Sequence, residues 1–296
     1  MKIDIGNSPC SWGVEFADDP RNPSWEQVLD ECRDSGYKGI ELGPVGYLPE
    51  NPEILGEALN ERDLELIGGV VFQPFHEPKK WKDVLDGSIR TCRALNSLGG
   101  EYLVIIDSIS PKRAPTAGRP EAAIQMDKNE WNTYIGHIKD LSKLAVEEYN
   151  LTPCIHAHAG GYMEFEYELD RLLNEIDENL LKICLDTGHC TYAGFDPVSF
   201  MKRYIDRIAY MHFKDTDPKV KKVVIENKTG FYDACAMGLF CTLGKGEVDF
   251  EGVRDTLINN GYSGWCTVEQ DCDPQGDNSP INDAKLNRDY LMKIGF

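Results

Sequence analysis

Short apolar runs alternate with amphipathic stretches from one end of the chain to the other. The apolar runs are Ile3–Asn7, Gly39–Leu42, Glu65–Phe72, Tyr102–Asp107, Thr152–His156, Leu181–Asp186, Ile208–Phe213 and Gly264–Glu269. They have the length and near-continuous apolar character of strands buried on both faces. Between them, stretches such as Trp25–Ser35, Asn129–Glu148, Tyr167–Asp177 and Phe250–Asn260 repeat apolar residues at three- and four-residue spacing. That is the period of a helix with one buried face. Strands of this kind joined by helices pair in parallel, and eight such units predict an α/β fold, the (β/α)8 TIM barrel. An open doubly wound sheet would show a Gly-rich nucleotide turn after its first strand. The turn here, Ser8-Pro9-Cys10-Ser11-Trp12-Gly13, has none. No low-complexity linker or composition break divides residues 1–296, so one domain is expected, with a long insertion at about 216–247 after the seventh strand.

Composition narrows the function classes. A formal charge of −19 argues against nucleic acid or an anionic membrane as partner, because both call for a basic surface. The start, Met1 to Asn7, has no basic stretch followed by an apolar one, and no apolar run approaches the roughly 18 residues that cross a bilayer. A soluble, cytoplasmic protein is expected. Lys112, Arg113 and Arg119 form a local basic patch, read as a solvated loop, a contact in a homo-oligomer, or an anion-binding arm. The ten cysteines include no Cys-x-x-Cys pair and read as thiols. Cys184 and Cys266 fall within apolar runs, where a thiol behaves as a small hydrophobe.

In such a barrel the chemistry sits at the C-terminal ends of the strands. Those ends are polar: Glu41, Gln73 with His76, Asp107, His156 with His158 and then Glu164, Asp186 with His189, His212-Phe213-Lys214-Asp215, and Glu269-Gln270-Asp271. Five of the six histidines lie there; His137 is placed on a helix. Singly, such a His is a structural hydrogen-bonding group and such an Asp a cap. Together they point to a metal site whose ligands are Glu164, Asp186, His212 and Glu269. Three carboxylates and one imidazole suit Mn2+, Co2+ or Mg2+, with Zn2+ also open. His158 and His189 then orient ligands or touch substrate.

Leu-Asp-Thr-Gly-His at 185–189, His-x-Lys-Asp at 212–215, Gly-x-Gly-x-x-Asp-Phe at 244–250 and Val-Glu at 268–269 resemble the xylose-isomerase-like TIM-barrel superfamily. Asn7-Ser8-Pro9-Cys10-Ser11-Trp12-Gly13 and His156-Ala157-His158-Ala159-Gly160 are similar to segments of its inosose (2-keto-myo-inositol) dehydratases, which commonly carry Pro and Thr where this chain has Ala157 and Gly161. The resemblance implies a divalent-metal enzyme that removes a proton next to a carbonyl. In some branches the strand-five acid is on the strand itself, where this chain has His156 or His158, so here Glu164 or Glu166 would reach in. Reprotonation would give epimerisation and loss of a β-hydroxyl would give dehydration. The expected activity is a carbon–oxygen lyase acting on a keto-polyol such as 2-keto-myo-inositol, in inositol catabolism. The alternative is a ketose epimerase or isomerase. Glu164, Glu269, His158, His189 and Lys214 are the catalytic candidates, with Lys214 either an acid or clamp at the leaving hydroxyl or a salt-bridge partner of Asp215 or another rim carboxylate. Trp12 is a candidate to stack on a ring substrate or to pack. Asn7, Glu41, Gln73 and Lys112 are candidate hydroxyl contacts. An endonuclease of the superfamily would need a basic face, and a metal-free binding barrel would not need these acids and imidazoles.

Overall fold

The computed structural model describes residues 2–272 and 279–296. Among the described residues there are eight parallel barrel strands: β1 (Ile3–Asn7), β2 (Gly39–Ile40), β3 (Glu65–Leu66 continued by Gly68–Gln73), β4 (Tyr102–Asp107), β5 (Thr152–Ile155), β6 (Lys182–Asp186), β7 (Ile208–Phe213) and β8 (Gly264–Val268). The first half of β3 pairs with β2 and the second half with β4. Ile67, between the halves, donates its N–H to Ile40 and accepts from Glu101, so one strand closes the barrel. Between β1 and β8 every residue of β1 is in register, from Ile3 opposite Gly264 to Asn7 opposite Val268.

The helices are α1 (Trp25–Asp34), α2 (Pro52–Asn60), α3 (Trp81–Leu98), α4 (Lys128–Tyr149), α5 (Glu166–Glu175), α6 (Thr187–Tyr192), α7 (Pro197–Tyr204), α8 (Pro218–Asn227), α9 (Phe231–Ala236), α10 (Phe250–Asn259) and α11 (Pro280–Ile294). Their starts follow local chemistry. Ser24 caps α1 by accepting from Gln27 N–H, and Asp127 and Glu130 form a reciprocal capping box on α4. Asp249 caps α10, which accounts for the Asp-Phe end of the 244–250 motif. Among the described residues, no helix is long and apolar enough to cross a membrane.

The core has three parts. The largest packs the helices against the outside of the barrel. A second fills the lumen with Ile67, Tyr102, Val104, Ile106, Cys154, Cys184, Tyr210 and Trp265. The third, which includes Tyr192, Val224, Phe231, Leu239 and Phe240, roofs one side of the barrel mouth. Much of that roof is the insertion: α8, α9 and a ribbon in which Asp215–Thr216 pairs antiparallel with Phe240–Cys241. Asp215 anchors it by accepting N–H groups from Thr216, Gly244, Gly246 and Val248. A Cβ on Gly246 would lie 2.2 Å from the Asp215 carboxylate, which explains the second glycine of the motif.

Candidate metal centre and active site

Side chains alternate faces along a strand, so a residue two places beyond a lumen residue again faces the lumen. Cys154, Cys184 and Tyr210 belong to the lumen core, and two residues on stand His156, Asp186 and His212. Glu269 stands two places after the buried Thr267, whose hydroxyl meets that of Tyr210. One potential ligand atom from each of His156, Asp186, His212 and Glu269 lies within 4.8 Å of the others, and all four residues are buried.

The cluster leaves several buried atoms without hydrogen-bond partners. Asp186 caps α6 through Oδ1, which accepts His189 N–H at 2.7 Å, while Oδ2 has no hydrogen-bond donor. His212 donates from Nε2 to Glu41 Oε1 at 3.0 Å. Its Nδ1 lies 3.3 Å from Glu269 Oε2 without a hydrogen-bond partner, and would face a cation once free of its proton. Tyr210 OH also donates to Glu41, at 2.9 Å. An imidazole backed by a carboxylate is the usual support of a metal-ligating histidine. Both ring nitrogens of buried His156 lack partners, and its Nε2 sits 3.5 Å from Asp186 Oδ2. Orphaned buried polar atoms are costly, and so many converging on one point fit a bound cation. Two imidazoles and two carboxylates are a donor set that a divalent transition metal accepts.

Lys214, from the end of β7, stands beside the four. Its Nζ lies 2.7 Å from Asp271, 3.1 Å from Glu269 and 3.4 Å from Asp186. Burial opposes its charge, but Asp186, Asp271 and Glu269 outweigh burial and hold its pKa well above the ordinary lysine value. Burial raises the Asp186 and Glu269 carboxyls, yet the neighbouring cationic groups win and both end below their usual values.

His158 Nδ1 lies 2.9 Å from the carbonyl oxygen of Ala159. That oxygen can only accept, so Nδ1 carries the proton and Nε2 is free. Burial, with help from His156 and Lys214, lowers this imidazole to about 3, so it is neutral at pH 7. His189 is tied differently: its Nδ1 accepts the Ala159 N–H at 3.3 Å and its Nε2 faces Lys214 at 3.3 Å. Burial, then Lys214, pushes it well below the usual histidine range. The rings of His158 and His189 lie 4.2 Å apart, with Phe231 of α9 4.8 Å from the first and 5.7 Å from the second.

These groups open on a cavity of about 830 Å³ at the barrel mouth, lined by His156, His158, Lys214, Glu269 and Asp271 at its polar end. Ser8, Cys10, Glu15, Phe16, Phe72, Gln73 and Ile109 are among its other walls.

Of the ligands expected from the sequence, Asp186, His212 and Glu269 meet in a cluster that also includes His156, while Glu164 lies outside it. Glu164 is turned away: its carboxylate accepts N–H groups from Gly118 at 2.7 Å and Gly160 at 3.0 Å, with Arg113 at 3.7 Å. Burial raises it to about 7 despite those donors. Glu166 pairs with Arg203 on the exterior. Lys214 meets Asp271 and Glu269, not Asp215, which holds the loop. Trp12 is buried, donates from Nε1 to Glu31 at 2.7 Å, and does not line the cavity. Gln73 does line it. Asn7 is buried at the end of β1 and accepts Ser8 N–H, Glu41 supports His212, and Lys112 is exposed and does not line the cavity. His76 binds Asp107, and His137 stacks on Trp81. The basic patch divides: Arg113 is fully buried on Glu168, while Lys112 faces solvent. Asp271 and Glu15 are site residues that the strand-end reading did not single out; Asp271 stood in the eighth strand's Glu-Gln-Asp run, whereas Glu15 carried no local signal.

The inosose dehydratase of Clostridium tetani is 30% identical over 298 residues, covering 99% of this chain and 97% of its own. Among solved structures, the probable 3-DHS dehydratase AsbF of Bacillus anthracis superimposes with a TM-score of 0.73 at 17% identity, covering 98% of both chains. The IOLI protein with a binding zinc atom gives 0.75 at 16%, covering 99% of this chain and 98% of that one. The model of the family described as Xylose isomerase-like TIM barrel matches residues 29–294, and the chain belongs to that family.

Proposed function

We propose that this protein is a divalent-metal-dependent dehydratase that eliminates water from a keto-polyol of the 2-keto-myo-inositol class. The observation that carries the reading is the buried quartet of His156, Asp186, His212 and Glu269, with its orphaned donor atoms beside a cavity that His158 and Lys214 also line. The near full-length likeness to inosose dehydratases supports the substrate class and a role in inositol breakdown. Mn2+, Co2+ and Zn2+ all suit two imidazoles and two carboxylates, and a zinc atom is named in a structural relative. A cation there would act as a Lewis acid on the substrate carbonyl and acidify the adjacent C–H.

The chain's own residues supply the rest. His158, with Nε2 unprotonated, takes the proton from carbon. Being a weak base, its imidazolium gives that proton readily to the departing β-hydroxyl, so one group serves both halves and is restored as water leaves. Lys214, kept charged by its carboxylates, hydrogen-bonds the leaving oxygen as a clamp. The roof residues Phe231 and Phe240 lie against His158, His189 and Lys214 and keep bulk water from that side.

The test is incubation of Mn2+-loaded protein with 2-keto-myo-inositol in D2O, followed by mass spectrometry. Loss of one water per substrate supports the proposal. Incorporation of deuterium with no loss of water would replace it with an epimerase.

A further inference from the structure

The peptide unit joining Ala159 to Gly160 is gripped at both ends. Its carbonyl accepts the Nδ1 proton of His158 at 2.9 Å, and its N–H donates to Glu164 Oε2 at 3.0 Å. The other oxygen of Glu164 accepts the Gly118 N–H at 2.7 Å, which fastens the loop after β4 to the turn after β5. The turn has little freedom otherwise. His158 N–H donates to Met163, Gly161 N–H to His158, and Gly160 has a φ of +79° that favours glycine.

Glu164 is itself held on several sides. It is buried, its backbone N–H donates to Glu168, and Glu168 is clamped through both oxygens by the fully buried Arg113. Gly118 allows this by close packing: a Cβ there would sit 3.1 Å from Ile225 of α8 and 3.2 Å from Tyr192 of α6. One carboxylate thus connects the roof, the loop after β4 and the histidine turn.

We infer that Glu164 is a positioning residue that acts on His158 through the 159–160 peptide. A carboxyl oxygen accepting the N–H of an amide enriches its carbonyl oxygen, and a richer acceptor holds the Nδ1 proton more firmly. That fixes the tautomer in which Nε2 is the acceptor. Fixing a tautomer is part of the service an aspartate performs by direct contact in a catalytic triad. The inference rests on His158 as the proton-transfer group of the proposed dehydratase, but its structural half can be read without turnover.

The experiment uses zinc-loaded, uniformly 15N-labelled protein, wild type and Glu164→Gln. In the wild type, His158 is expected in the Nδ1–H tautomer and the Gly160 amide proton far downfield. In Glu164→Gln the tautomers mix, the Gly160 signal moves upfield, zinc content stays at one per chain, and kcat for 2-keto-myo-inositol falls about tenfold or more with KM within twofold. A wild-type His158 in the Nε2–H tautomer overturns the inference even if the variant does not fold. So does a Glu164→Gln protein with unchanged His158 shifts and kcat, and loss of zinc from that variant would make Glu164 a ligand instead. Wild-type protein with the expected tautomer and no dehydratase activity would remove the function while leaving the Glu164 linkage in place.

Discussion

Gly188 offers a sharp test of how Lys214 is placed. A Cβ built on Gly188 would lie 2.6 Å from Lys214 Cγ, 2.8 Å from Cβ and 3.1 Å from Cδ. Carbon atoms prefer about 3.5–4.0 Å, so in Gly188→Ala the lysine stem must retreat by roughly 1 Å. The atoms struck are the root of the side chain, and its backbone is held by Thr187 Oγ1, which accepts Lys214 N–H and donates to Lys214 C=O. Overpacking of this kind costs about 1–3 kcal/mol. At roughly 2 cal/mol/K per residue, a chain of 296 residues has an unfolding entropy near 0.6 kcal/mol/K, so Tm should drop by about 2–5 °C. Activity should suffer more, because misplacing a catalytic group by about 1 Å costs on the order of 100-fold. Calorimetry and steady-state kinetics on 2-keto-myo-inositol read both. Wild-type kcat together with the lowered Tm would refute the role given to Lys214, and an unchanged Tm would refute the close approach itself.

Glu41→Gln removes the charge behind His212, and isothermal titration should show Mn2+ binding weakened by about 10-fold to 100-fold, as for other supporting carboxylates. Trp12→Phe loses the indole bond to Glu31 and should cost about 1–2 kcal/mol in urea denaturation while leaving kcat and KM unchanged; a raised KM would return Trp12 to the substrate site. Burial, with Asp271 adding to it, raises the Glu15 carboxyl from 4.5 to about 7. Between those values the folded protein keeps a proton that the unfolded chain has released, so this residue subtracts stability as pH rises through the window. Glu15→Gln lifts that penalty, and its Tm relative to wild type should climb from pH 5 to pH 8; a difference that stays flat would contradict the burial of this charge.

The barrel was legible because its signals are local. Near-continuous apolar strands repeated eight times admit few other arrangements, and the observed strands fall on the expected runs, with β3 interrupted at Ile67 and β2 cut to Gly39–Ile40. The insertion at 216–247 was visible as extra chain, but α8, α9 and the ribbon that make it a roof depend on packing against Tyr192, His158 and His189. In the candidate metal cluster, Asp186, His212 and Glu269 stand directly at strand ends. His156 carried the same signal, two places after Cys154 on the lumen face, whereas Glu164 lies beyond a Gly-Gly turn whose direction no spacing rule gives. An acid was preferred to an imidazole there for the chemistry of the ligand set, whereas the fold gathers His156 with the other three. Trp12 faces inward because Glu31 on α1 offers its N–H a partner, a contact between residues 19 apart that periodicity does not show.

The most direct test of the metal assignment is anomalous diffraction from crystals of the Mn2+-loaded protein, recorded near the manganese edge. The expected result is one strong peak within coordination distance of His156, Asp186, His212 and Glu269, with the Glu164 carboxylate still on the amides of Gly118 and Gly160. A peak held by Glu164 in place of His156, or no peak among the four residues at saturating Mn2+, would contradict it.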